Sequence, residues 1–283
     1  MFSLRLENES ANIVDINDGV RYIVTAVSGL NPPSASIFTA KSPNRKGAKY
    51  NGSTLDVRNI VLTIKILGDI EKNRNTLYDW VDTEQYVKIY YKNEVKNVYC
   101  EGYVEDCDVD MFTDNEIMNV AIICDNPYWN DLLEIRADIS TLLKHFTIPF
   151  AIDAVGAPFS TIRESNVTSI FNSGAETGVQ LYIHTTGEVK NLVIYNATNT
   201  TKKFMLRYTI PENWTIVIDT DGSPKTCKAF KPDGSVMNMM PFVGANPEWF
   251  TLKKGYNKFS YASDSGDTNV SISVRFTNKY LGV

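Results

Sequence analysis

The chain has 283 residues, 43% hydrophobic and 22% charged, which is ordinary globular composition and long enough for two domains without metal or disulfide staples. Its net charge of −5 divides unevenly: residues 1–139 carry 14 basic and 22 acidic side chains, a balance of −8, and residues 140–283 carry 14 and 11, a balance of +3. Neither half has the basic excess of a dedicated nucleic-acid binder, and with His145 and His184 the only histidines there is little room for histidine-based catalysis or metal binding.

The opening MFSLRLENES places Arg5, Glu7 and Glu9 where a signal peptide needs an apolar run, so no export is expected. No window of about 18 apolar residues exists, and no membrane span is expected. Cys100, Cys107, Cys124 and Cys227 form no CxxC pair and read as reduced thiols of a protein folded in a cytoplasm.

Period-two alternation dominates the first half. The basic stretch 41–54, KSPNRKGAKYNGST, carries Lys41, Arg45, Lys46 and Lys49 with almost nothing apolar. It reads either as a solvated loop or as an extended hairpin arm that orders against a partner, the latter favoured by the acidity of the surrounding half. Ile60, Leu62, Ile64 and Ile66 then share one face of a strand. Leu77, Trp80 and Val81 form an apolar stripe beside Glu71, Lys72, Arg74 and Asp79, predicting a helix over 70–82. Val87, Ile89 and Tyr91, a turn at Asn93-Glu94, and a return through Val98, Cys100 and Val104 predict a hairpin. Residues 117–123 are apolar at both parities, which predicts a strand buried on both faces.

Between residues 125 and 160 the pattern breaks at Pro149, Gly156 and Pro158, placing a boundary in the 145–155 linker and domains at 1–148 and 149–283. Beyond it the chain is almost wholly β. Val179, Leu181 and Ile183 alternate, as do Phe204, Leu206, Tyr208 and Ile210. The clearest strand is 270–277, with Val270, Ile272, Val274 and Phe276 on one face. Short strands separated by Gly, Asn, Asp and Pro turns predict an antiparallel β-sandwich.

The residues that carry chemistry are sparse. Walker A, dinucleotide, HExxH and GxSxG motifs are absent, and no cofactor or metal is expected. Asp106-Cys-Asp108-Val-Asp110 is spaced like a calcium loop, but Met111 stands where the loop needs Gly and Ile117 where it needs Glu. Alternation puts the three aspartates on one strand face, the pattern of a solvated sheet. His145 and His184 have no nucleophile motif beside them, and no catalytic residue is assigned. Trp214 and Trp249 lie near turns, where they could stack on sugar rings, although sandwich cores also use such residues.

The order of features resembles the distal tail protein (Dit) family of siphophages, the long, non-contractile-tailed bacteriophages. In the first half the likeness rests on Gly29-Leu30-Asn31-Pro32-Pro33, Arg58-Asn59-Ile60, the helix with Arg74 and Leu77, the hairpin 86–104, and Asn126-Pro127-Tyr128-Trp129. It continues through Gly156-Ala157-Pro158-Phe159-Ser160, Ile170-Phe171-Asn172-Ser173-Gly174, Ile218-Asp219-Thr220, Gly255-Tyr256-Asn257 and Tyr280-Leu281-Gly282-Val283. Two departures occur. Glu212-Asn213-Trp214 replaces the Gly-Asp turn often found before the Ile-x-Ile-Asp-Thr strand, and Leu192 replaces a Pro.

The resemblance implies a mainly β structural virion protein without enzymatic activity. Its N-terminal domain would be a split β-barrel-like, ring-forming domain with one helix and a projecting hairpin arm, for which 41–54 is the candidate. Its C-terminal domain would be a galectin-like antiparallel sandwich. The implied partners are itself, as a homohexamer, the tail tube protein, the tail-associated fibre or lysin protein, and receptor-binding or baseplate proteins. DNA would pass through the lumen without specific binding. On this reading Lys41, Arg45, Lys46 and Lys49 belong to a subunit interface. The alternative is a carbohydrate-binding module recognising host cell-wall polysaccharide through Trp214 and Trp249, and a glycosidase is the third reading.

Overall fold

One antiparallel sheet of nine strands organises the first unit of the computed structural model, which describes residues 2–42, 46–111, 113, 116–139, 168–197 and 199–283. In chain order the elements are β1 (Ser3–Asn8), β2 (Ile13–Asp15), β3 (Tyr22–Ser28), β4 (Ala35–Ala40), β5 (Lys49–Leu55), β6 (Arg58–Ile66), α1 (Ile70–Val81), β7 (Tyr86–Lys92), β8 (Asn97–Val109), β9 (Ile117–Cys124) and β10 (Trp129–Asp131). Strand order across the sheet is β2-β1-β7-β8-β9-β6-β3. Strand β10 pairs with β8 and also with a C-terminal strand, Lys279–Tyr280.

Alternation dictates which face is dry. Leu4, Leu6, Ile60, Leu62, Ile64, Val87, Ile89, Val98 and Cys100 are fully buried and form one core with Leu77 and Val81 of α1. The helix starts because the Asp69 carboxylate accepts from the Lys72 N–H, and it stops at Asp82, which is already extended. Its buried Leu77 and Val81 lie four residues apart on one face, while Trp80 is half-buried and its indole N–H donates to the Asn12 carbonyl. Strand β9 departs from expectation. Met118, Val120, Ile122 and Cys124 are buried, but Ile117, Ala121 and Ile123 are half-buried and Asn119 is exposed. Among the described residues the core covers one face of this sheet, and the other is shaded by neighbours such as Tyr103, which lies opposite Ile123. Gly102 is required where β8 passes β9, because a Cβ there would stand 2.5 Å from the Ile123 carbonyl oxygen.

The second unit begins with β11 (Ile135–Asp138) and continues through β12 (Thr168–Asn172), β13 (Thr177–Gly178), β14 (Gln180–Thr185), β15 (Val189–Lys190), β16 (Val193–Asn196), β17 (Asn199–Met205) and β18 (Thr209–Ile210). Then follow β19 (Thr215–Asp219), β20 (Thr226–Phe230), β21 (Val236–Asn238), β22 (Thr251–Leu252), β23 (Gly255–Ala262) and β24 (Val270–Phe276). A six-stranded sheet, β11-β24-β14-β19-β20-β21, and a four-stranded one, β12-β23-β16-β17, contribute to one core. Leu181, Ile183, Ile216, Ile218, Ile272 and Val274 come from the first sheet, and Ile170, Ile194, Phe204, Phe259 and Tyr261 from the second. This is the antiparallel sandwich that the alternating strands predict.

The described chain divides into Met1–Leu133 with Lys279–Val283, and Glu134–Asn278. The boundary anticipated at 148/149 lies outside the described residues. All four cysteines are free thiols, with Cys100, Cys124 and Cys227 buried.

Candidate assembly surfaces

Strands β4 and β5 form a two-stranded hairpin that pairs with no other strand among the described residues. Every residue of β4 is exposed, and so is β5 apart from half-covered Gly52. Ile37, Phe38 and Tyr50 present their side chains to solvent. An isolated hairpin of this kind is marginally stable in water, so its root must be held. Asp56 does this: its carboxylate accepts from the hydroxyls of Ser34 and Ser36, each at 2.9 Å, and its N–H donates to the Ser34 carbonyl at 3.0 Å. At the opposite end Lys41, Lys46 and Lys49 are exposed, while Arg45 lies outside the described residues. Residues 49–54 of the stretch 41–54 thus lie in the returning strand of a hairpin that already begins at Ala35.

Immediately after the hairpin, Arg58 is 1% exposed. Its guanidinium donates to the carbonyls of Gly29, Asn31 at 2.8 Å, Pro127 at 2.7 and 2.9 Å, and Leu281 at 2.6 Å, and lies over the Trp129 ring at 5.5 Å. No carboxylate is among these partners. Four carbonyl dipoles carry the compensation for the buried charge, and burial pulls the arginine below its ordinary pKa. Gly29 must be glycine. Its φ is +82°, and a Cβ would meet the Asn59 carbonyl oxygen at 2.1 Å. The tail closes over the same place, with the Val283 N–H donating to Leu30 and the Tyr280 hydroxyl donating to Asp131 at 3.0 Å. Arg58 therefore fastens the hairpin root, the turn before β10 and the C-terminal segment to one point.

The acidic run 101–116 sorts into two groups. Glu105, Asp106 and Asp108 are exposed along the outer part of β8, and Asp110 just beyond its end. Glu116 is buried and chelated by Arg74 of α1 at 2.6 and 2.8 Å, so it staples the helix rather than adding to an open charge. Glu101 pairs with Lys88 at 3.3 Å, and Asp114 lies outside the described residues. Beside this row the strands β7 and β8 present Tyr86, Tyr90, Tyr99 and Tyr103, with the Lys88 ammonium 4.1 Å from the centre of the Tyr99 ring. Burial and the neighbouring Glu101 push Tyr86 up to about 12, so its phenol is neutral at physiological pH. Among the described residues no group of three His, Cys, Asp or Glu side chains is placed to hold a metal ion.

In the second unit Trp214 and Trp249 are half-buried against the core. Trp214 stacks on Tyr208 with Lys231 above it, and Trp249 meets Phe204 edge-on with Lys225 above it. His184 is exposed, its Nδ1 3.2 Å from the Thr215 hydroxyl, and His145 lies outside the described residues. Two features escape a reading of the sequence: the carbonyl cage of Arg58, and an exposed aromatic pair, Phe171 and Tyr256, whose ring centres are 5.0 Å apart. The only sequence signal for the pair is the adjacency of Ile170 and Phe171 in a strand, which forces one of them outward.

Comparison with known proteins gives consistent results for both units. A family model described as a phage tail protein RIFT-related domain matches residues 9–122, and one described as a siphovirus-type tail component, C-terminal domain, matches 172–280. No curated protein sequence matches. Among solved structures, the Dit protein of phage SPP1 aligns with a TM-score of 0.69 at 14% identity, covering 98% of this chain and 99% of that one. A chain of the phage P2 baseplate in its activated conformation with Ca aligns at a TM-score of 0.53 and 12% identity over the full length of both.

Proposed function

The chain belongs to the distal tail protein family of siphophages, structural hub components of the virion tail, and from that premise we propose that six copies close into a ring through the β4–β5 arm. The observation that carries this is the hairpin, exposed everywhere but half-covered Gly52, with exposed lysines at the end away from its clamped root. A closed ring of identical subunits needs two different complementary patches on each. The arm's Lys41, Arg45, Lys46 and Lys49 supply one, and the exposed row Glu105, Asp106, Asp108 and Asp110 of the next copy supplies the other. Such a pair sets register and speeds encounter more than it adds affinity, while Ile37, Phe38 and Tyr50 supply apolar area to bury. Carboxylates left uncovered by the arm face the lumen, where a like-charged wall repels phosphate and lets DNA slide through.

The ring joins the tail tube protein on one side to the tail-associated fibre or lysin protein on the other, and anchors receptor-binding or baseplate proteins. Its role is to build and connect, and no catalytic step is assigned to it. Reversing the charge at Lys41, Arg45, Lys46 and Lys49 together tests the arm by native mass spectrometry. The reversed protein is expected as monomer under conditions where the unmodified chain forms hexamers. An unchanged mass overturns the assignment.

A further inference from the structure

The sequence holds a single Asn-Gly step, Asn51-Gly52, and the fold sets it in the returning strand of the arm. Asn51 is exposed, and its carboxamide forms no hydrogen bond among the described residues. The pairing of β4 with β5 slips at this point. Phe38 stands opposite Gly52 and Thr39 opposite Tyr50, so Asn51 is a bulged residue with no partner on β4. Gly52 has a φ of +150°, and the space where a side chain would project is empty within 4 Å. The bulge thus selects glycine for its backbone, and glycine leaves the backbone nitrogen after Asn51 unshielded. A hairpin that pairs with no other strand among the described residues also opens readily. Asn172, followed by Ser173, is the contrast: it is fully buried, and its amide donates to the carbonyls of Ala175 and Leu252 at 2.7 and 2.9 Å.

We propose that Asn51 is a site of spontaneous deamidation, and that the reaction limits how long a free subunit can still join the ring. The Gly52 nitrogen loses its proton to hydroxide and attacks the Asn51 side-chain carbonyl carbon, an intramolecular step through a five-membered ring. A nitrogen–carbon bond forms, the carbon–NH2 bond breaks, and ammonia leaves with a proton returned by water. Water then opens the succinimide at either carbonyl, leaving aspartate or isoaspartate. Both products put a carboxylate on an arm that, from Ala35 to Leu55, carries four basic side chains and no acidic one. Isoaspartate also adds a methylene to the backbone of β5, which puts the residues beyond it out of step with β4. A carboxylate on the arm repels the row Glu105, Asp106, Asp108 and Asp110 that the arm has to meet. This consequence rests on the docking of arm to acidic row proposed above; the chemistry at Asn51 does not.

Ageing the full chain in warm, mildly alkaline buffer and mapping its peptides by mass spectrometry tests the site. Asn51 is expected to convert about tenfold faster than any other asparagine of the folded chain, at a rate that rises with pH. Asn51→Gln, whose attack needs a six-membered ring, should stay intact over the same period. Native mass spectrometry then reads the consequence. The aged chain and Asn51→Asp should lose most of their hexamer, and aged Asn51→Gln should keep it. Asn51 belongs to neither core, so thermal melting of both variants should match the unmodified chain. Conversion at Asn51 no faster than at other asparagines overturns the site. Full hexamer from the aged chain overturns the time limit. If reversing Lys41, Arg45, Lys46 and Lys49 abolishes the ring in the same assay, the time limit alone is wrong. If that reversal also leaves the ring intact, the arm reading is wrong and the time limit falls with it, while the modification site stands.

Discussion

Replacing Arg58 with Met keeps the bulk of the side chain and removes every donor. Four carbonyls around the buried guanidinium, those of Gly29, Asn31, Pro127 and Leu281, then lose their partner in a part-buried setting. An unsatisfied buried acceptor costs about 1–3 kcal/mol, and relief of the guanidinium's own desolvation offsets part of that. About 1 kcal/mol per carbonyl remains, or roughly 4 kcal/mol in total. The first unit is of a size at which each kcal/mol moves the midpoint by about 3–4 °C, so its transition should fall by roughly 10–15 °C. The loss should also be local. Hydrogen exchange of the full-length variant is expected to speed up in 29–33, 126–131 and 279–283, all held by the arginine, and to leave β14, β19 and β24 of the second unit unchanged. A shift equivalent to less than about 1 kcal/mol, or faster exchange confined to the sandwich, would refute the claim that this arginine fastens three segments.

Two further predictions concern single residues. Burial alone would raise the Asp18 carboxyl, but N–H donors from Tyr22, Arg21 and Val20 and the Arg21 guanidinium hold it at about 2, below its ordinary 3.8. Its stabilisation is therefore complete above pH 3.8 and is lost as pH falls from there through 2. Asp18→Asn should cost about 1 kcal/mol at pH 7, after discounting for solvent screening. The difference from the unmodified chain should vanish near pH 2 in urea titrations, and a constant difference across that range would contradict the assignment. In the sandwich the Thr220 hydroxyl accepts from the Val179 N–H at 2.8 Å and donates to the Phe250 carbonyl at 2.7 Å. Thr220→Val leaves both groups buried and unpaired, and should destabilise the second unit by about 2 kcal/mol in calorimetry. A change below about 0.5 kcal/mol would mean that other groups replace the hydroxyl.

Strands whose two faces differ were legible in advance. Ile60 to Ile66 alternates in sequence and is buried in alternation, because a pleat sends successive side chains to opposite faces; Val270 to Phe276 alternates in sequence too, but Ser273 on its second face is also buried. The helix was equally plain from Leu77 and Val81. Strand β9 was not, since apolar residues at both parities do not say whether the second face is covered within the chain or shaded by neighbours. The Arg58 cage was invisible for a different reason. Its acceptors are backbone carbonyls as far as 223 positions away, and a carbonyl leaves no mark on composition. Gly29-Leu30-Asn31, Asn126-Pro127 and Tyr280-Leu281 nonetheless belong to segments that carried the family resemblance, and all of them meet at that arginine. The Phe171–Tyr256 contact joins residues 85 positions apart through strand register, which local periodicity cannot supply.

The unequal charge of the two halves acquires a structural setting: exposed carboxylates run along β8 of the first unit, and a carboxylate-free sheet lies in the second. The most direct test of the hub assignment is negative-stain microscopy of the purified full chain over a range of protein and salt concentrations. Six-fold rings with a central hole, dissociating as salt rises, are the predicted result. Particles lacking rotational symmetry at every concentration, or closed assemblies without a lumen, would contradict it.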